Sequence, residues 1–208
     1  MSDKKTFASI SSGKKSRLCE KKKLILEYEK AASRQLALHV IEKPLPRVWM
    51  IFIPILFVFY FWKVKEYEKG LQDFAENYLI PRRRALEAAC AAAESCLPVN
   101  VDVLVNQFDD MQETTRALCK EWLTVLTGHF QLLLNAEGDS YHKLVHSGYR
   151  DKSGYLQFCQ HADRTETAFN LALLKTIDGD STALCQVTAA MKEGMRSLQK
   201  QSAENFFT

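Results

Sequence analysis

Residues Val48 to Trp62 form an uninterrupted run of fifteen apolar residues, V-W-M-I-F-I-P-I-L-F-V-F-Y-F-W, closed by Arg47 and Lys63. A helix at the surface of a soluble domain keeps one polar face, and this run has none. Trp49 and Trp62 stand just inside its ends, where bilayer interfaces favour indole rings. The run predicts a membrane anchor over residues 45–64, about 30 Å of helix, with Arg47 and Lys63 able to extend their stems to the headgroups. Pro54 lies near its middle, removes a backbone donor, and would kink the helix or turn it back. The expectation is therefore a single transmembrane pass or a re-entrant anchor. The run starts too far into the chain for a cleavable signal peptide, and neither end of the sequence fits a lipidation motif.

Charge divides around this segment. Residues 1–47 carry twelve Lys or Arg against five acids, a net of +7, whereas residues 63–208 carry a net of −4. Lys21, Lys22 and Lys23, together with Arg82, Arg83 and Arg84 beyond the anchor, are candidate contacts for anionic lipid headgroups. Nucleic acid is not an expected partner, because no recognisable nucleic-acid module accompanies the basic cluster. Lys and Arg are nearly balanced on the two sides of the anchor, so the positive-inside rule gives little direction. The six cysteines do, moderately. None forms a C-x-x-C pair, and five fall in helical patterns, which reads as free thiols and a cytoplasmic C-terminal domain.

No alternation of strand type stands out, and the chain reads as all-α. Residues 1–17 are a basic tail rich in Ser, Lys and Gly, expected to be disordered. Residues 18–43 form an amphipathic helix on Leu24, Ile25, Tyr28, Ala32 and Leu36, ended by Pro44 and Pro46. After the anchor, residues 65–202 are expected to make an antiparallel bundle of about four main helices, followed by a tail over 203–208. The first of these helices carries Tyr67, Leu71, Phe74 and Tyr78, with a kink or short break at Pro81. The second is predicted over 101–134 from two heptad rows, Val101, Phe108, Thr115, Trp122 and His129, and Leu104, Met111, Leu118, Val125 and Leu132. A short turn at 141–146 and helices on Cys159–Ile177 and Leu184–Leu198 complete the pattern.

Chemistry is sparse. His142 and His146, four apart on one helical face, with Asp139 three residues earlier, are the candidate metal ligands, and His161 and Asp163 could add to them. The spacing lacks the second carboxylate-x-x-His motif of di-iron bundles. His129 falls on the heptad face and reads as a core histidine with one hydrogen bond. On the helix after Tyr155, a strict heptad turns Glu166 inward, and a small phase shift turns Thr165 inward instead; the shifted phase is preferred. No phosphate loop, nucleophile elbow or dinucleotide fingerprint occurs. The sequence thus points to a non-enzymatic interaction or scaffold module at a membrane surface, partnered by lipid and by another protein or itself, with no cofactor. The alternatives are a metal-binding bundle using His142 and His146, or a sensor of lipid or another apolar ligand, which would need an internal cavity.

Overall fold

The computed structural model describes residues 3–42, 54–108, 111–175 and 181–207, and every regular element among them is helical. In chain order these are α1 (Asp3–Val40), α2 (Pro54–Ser95), α3 (Val101–Val105), α4 (Glu113–Asn135), α5 (Tyr141–Tyr149), α6 (Lys152–Leu174) and α7 (Ser181–Phe206). The all-α expectation holds, and the four main helices expected after the apolar run are α2, α4, α6 and α7; α1 joins them as a fifth wall. Helices α1, α2, α4, α6 and α7 pack in that order around a ring that closes with α7 on α1.

Five helices in a ring cannot alternate direction all the way round, so one adjacent pair must run parallel. Side-chain pairs identify it. Lys22 pairs with Glu87 and Glu29 with Arg82, which makes α1 and α2 antiparallel. His129 stacks on Phe158 and Trp122 on Phe169, so α4 and α6 are antiparallel. Asp163 meets Arg196 and Tyr155 meets Phe206, giving the same for α6 and α7. Tyr28 bonds Ser202 while Leu36 faces Gly194, giving it again for α1 and α7. By contrast, Arg82 lies over Trp122 and, further along both helices, Glu87 and Leu134 are reached from the adjacent lysines Lys22 and Lys21. Helices α2 and α4 are therefore the parallel pair. The chain returns between them through α3 and the residues around it, which lie back along α2: Arg84 sits over the ring of Phe108.

This return is why the helix predicted over 101–134 is two elements. Asn100 caps α3, accepting from the Val103 N–H, and Asn106 ends it after five residues. N-Q-F-D-D is poor in strong helix formers, and Asp109 and Asp110 lie outside the described residues. Elsewhere the capping is conventional: Asp151 accepts from Gly154 N–H at 2.7 Å and opens α6, and Ser140 opens α5. Helix α2 passes through Pro81 without a break; the missing N–H leaves the Asn77 carbonyl without its ordinary helical partner.

The flanking segments are more integrated than their composition suggests. Helix α1 starts at Asp3 rather than after a disordered tail, and from Leu18 to Ala37 it contributes core side chains, so the 18–43 helix is a wall of the bundle. The expected tail over 203–208 begins as the end of α7, with Ala203 and Phe206 buried.

The membrane anchor is not borne out. Among the described residues no helix is long and apolar enough to cross a membrane. Among the described residues α2 carries nine residues of the apolar run, about 14 Å of helix, before Lys63, and Lys65, Glu66, Glu68 and Lys69 follow at once. This corrects the single-pass membrane localisation; residues 48–53 of the run lie outside the described residues. Arg47 and Trp49 lie outside the described residues.

The α1–α7 contact is among the closest. A Cβ on Gly194 would lie 2.9 Å from the Cβ of His39 and 3.0 Å from Leu36 Cδ1. Gly194→Ala gains about 1 kcal/mol of helix propensity, against an overpacking cost of typically about 1–3 kcal/mol. A net destabilisation of roughly 1 kcal/mol is expected, read as a lower urea midpoint with an unchanged slope.

Candidate functional site

The centre of the ring holds a charge cluster in which one cation serves two carboxylates. Arg82 on α2 is 6% exposed. Its Nη2 donates to Glu166 Oε2 on α6 at 2.8 Å, and its Nε lies 3.5 Å from Glu29 Oε2 on α1. The guanidinium plane rests on the Tyr78 ring, 3.7 Å from its centroid, with the Trp122 ring of α4 at 5.7 Å. Tyr78, Arg82, Ala85 and Ala89 share one stripe of α2, and the stripe turns into the core. Both residues weighed for the inner face of α6 are used: Thr165 is buried and bonds the His161 carbonyl, while Glu166, one position on, takes Arg82.

Burial works against the charge on Arg82, but Glu166, then Tyr78 and Glu29, hold its proton more tightly than usual. Burial raises the Glu29 carboxyl above its ordinary range; Arg82 opposes this, and Glu166 adds to it. The cluster as a whole sets two carboxyl groups against one guanidinium.

Beside Arg82 opens a pocket of about 470 Å³, within the usual range for small-ligand sites. Phe74, Phe108, Met111, Phe169, Leu173 and Met191 form its apolar walls, and Asn77, Tyr78, Arg82, Trp122, Glu166 and Asn170 its polar side. Phe108 and Met111 are there because the chain leaves the helix between α3 and α4. Among the described residues three buried side-chain polar atoms have no hydrogen-bond partner, the Tyr78 hydroxyl, Arg82 Nη1 and Trp122 Nε1, and all three belong to side chains that line this pocket. The Tyr78 hydroxyl does lie near Glu166 without forming a well-aligned bond. Arg82 Nη1 and Trp122 Nε1 can only donate. An unpaired buried donor typically costs about 1–3 kcal/mol. On its inner side Arg82 also borders a chamber of about 60 Å³ shared with Glu29, His129 and Cys159, which Trp122 does not reach.

A second polar centre lies towards α5. His129 is buried, shares a 2.6 Å hydrogen bond with the Tyr149 hydroxyl and stacks on Phe158 at 4.1 Å. This is the core histidine with one bond expected from the heptad; the Tyr141 hydroxyl stands 3.5 Å from its other nitrogen. Burial lowers its pKa to about 3. Tyr28 and Tyr141 stack face to face at 3.7 Å alongside.

The residues singled out for metal do not assemble. Asp139 is held by Lys143 at 2.9 Å, and the exposed His142 and His146 stand against Phe206 and Phe207. His161 is exposed, and Asp163 pairs with Arg196. Among the described residues no group of three His, Cys, Asp or Glu is placed to hold a metal ion. Of the proposed headgroup contacts, Arg82 is corrected outright, being enclosed. Arg83 pairs with Glu76, Lys22 with Glu87 and Lys23 with Glu27, while Lys21 caps the Leu134 carbonyl. The side chains of Pro54, Trp62 and Lys63 lie outside the described residues. All five cysteines described, Cys19, Cys90, Cys96, Cys119 and Cys159, are free.

Sequence reasoning missed the pocket, although a signal was present. Arg82 and Glu29 each occupy an apolar stripe, the first with Tyr78 and Ala85, the second with Ile25, Ala32 and Leu36. A charge on a buried stripe requires a partner on another element. No protein-family model matches the chain, and no curated protein or solved structure matches it.

Two outcomes test this centre. Arg82→Met leaves Glu29 and Glu166 enclosed without a cation and is expected to cost about 3–5 kcal/mol in urea denaturation; adding Glu29→Gln and Glu166→Gln should restore most of it. His129 titrates near 6.5 when unfolded and about 3 when folded, so below pH 6.5 the unfolded chain takes up the proton first and stability falls towards pH 3. His129→Gln, compared with wild type at pH 7 and 4.5, should be weaker at pH 7 and lose less on acidification.

Proposed function

We propose that this protein is a non-enzymatic helical binding module that takes an apolar ligand into the pocket between α2, α4 and α6. The observation that carries this reading is the set of unpaired donors of Arg82 and Trp122 on the polar side of a cavity whose other walls are aromatic, Met and Leu side chains. Pockets for small ligands have this composition, a mainly apolar lining with a few convergent polar groups. The cost of leaving those donors unpaired is recovered when a ligand supplies an acceptor.

Two features suit such a role mechanically. Met111 and Met191 are unbranched and flexible, so they can move aside as a ligand enters. Phe108 and Met111 come from the connection between α3 and α4 rather than from a long helix, so this wall can shift without disturbing the ring.

Association with another protein, or with a second copy, through the heptad faces is the weaker reading. Thr115, Trp122 and His129 of the first row point into this chain's own core. Of the second row, Leu132 is 37% exposed, a small apolar area for docking.

The test uses the fluorescence of an uncharged apolar dye such as Nile red. Saturable, single-site enhancement is expected with the wild-type protein. Met111→Trp fills the cavity from a position outside the long helices and should weaken binding at least tenfold, with the unfolding midpoint little changed. Equal binding by both proteins would overturn the reading.

A further inference from the structure

We infer that the ligand's buried end is an uncharged hydrogen-bond acceptor, the carbonyl of an amide, ester or ketone carried on an apolar tail, and this rests on the binding role proposed above. Three features of the site select it.

The first is that two of the three unpaired atoms can only donate, and the third, the Tyr78 hydroxyl, can donate as well as accept. Arg82 Nη1 and Trp122 Nε1 are both unpaired and cannot accept, and both side chains line the pocket. A purely hydrocarbon ligand would leave them unpaired. An ammonium or other cationic end could reach Glu166 but would leave both nitrogens unpaired, beside a guanidinium.

The second is charge. An isolated buried arginine would call for a carboxylate or phosphate, but here the guanidinium is already engaged by Glu166 at 2.8 Å and Glu29 at 3.5 Å. Two carboxyl groups already share this one guanidinium, in a setting where burial keeps the local dielectric low. An anionic ligand would add a third acidic group to the same cation. A carbonyl oxygen accepts from the same two donors and adds none.

The third is reach. The unpaired nitrogens have no open surface, so the acceptor gains them by displacing a neighbouring side chain, and Met191 borders the same pocket. The flexible thioether can vacate space at small cost. A carbonyl near the end of a chain is slim enough to follow it, whereas a hydrated phosphate is not.

The experiment compares decanamide, methyl decanoate, decanoate and decane at pH 7, each displacing the bound dye from the full-length protein. Amide and ester are expected to bind roughly tenfold or more tightly than decanoate and than decane. Glu29→Gln removes one of the two carboxyl groups while keeping a hydrogen-bonding side chain beside Arg82. It should raise decanoate affinity roughly tenfold and leave decanamide unchanged, a gain that a misfolded variant could not produce. Decanoate binding as tightly as the amide, or all four binding alike, would overturn the inference while leaving the binding role intact. Failure of all four, together with failure of the dye, would overturn both.

Discussion

The fold is organised around a cation that has been taken out of water. Arg82 ties α2 to α1 through Glu29 and to α6 through Glu166, and it lies between a ring from its own helix and one from α4. Four of the five walls therefore meet at one guanidinium. Such a buried cluster adds little net stability over well-packed apolar residues, because desolvation offsets most of the attraction. Its effect is on register. If α1 slid by one turn along α2, Glu29 would leave Arg82 and two charges would be buried apart. The many Leu and Ala contacts alone would tolerate that slip far better.

The second constraint is the odd number of walls. With five, one neighbouring pair has to be parallel, and a parallel pair needs a connection that runs the length of the helices. The chain meets this through α3 and the loop after it, and Phe108 and Met111 fall on that return instead of in a long helix. The pocket beside Arg82 is bounded by the side chains so released. Cavity and topology are linked, as loop residues Phe108 and Met111 complete a wall of the cavity that the packed helices α2, α4 and α6 leave open.

The opposite side of the core is filled by a different device. Tyr28, Tyr141, Tyr149 and Tyr155 gather around His129 and the end of α7, with Phe206 edge-on to Tyr141 and Tyr155. Short helix α5 closes this end by touching α1, α4, α6 and α7. Aromatic rings with one polar atom each fill such a region while keeping their few hydrogen bonds, and they leave His129 neutral.

What the sequence determined by itself was local. The all-helical class, the C-terminal ends of α1 and α4, the inward row of Thr115, Trp122 and His129, and the core histidine were readable from 3.6-residue periodicity and from Pro, Gly and capping residues. Periodicity describes one helix at a time, so it also made the apolar run at Val48–Trp62 look like a membrane anchor and joined α3 to α4 across N-Q-F-D-D. Tertiary structure decided the rest: that α1 is a wall of the ring, that α2 and α4 run parallel, and that Arg82 meets Glu29 and Glu166. These depend on which stripe faces which across three separate helices, 53 and 84 residues from Arg82 in the chain. The charges on those stripes announced that each needed a partner; only packing could choose it.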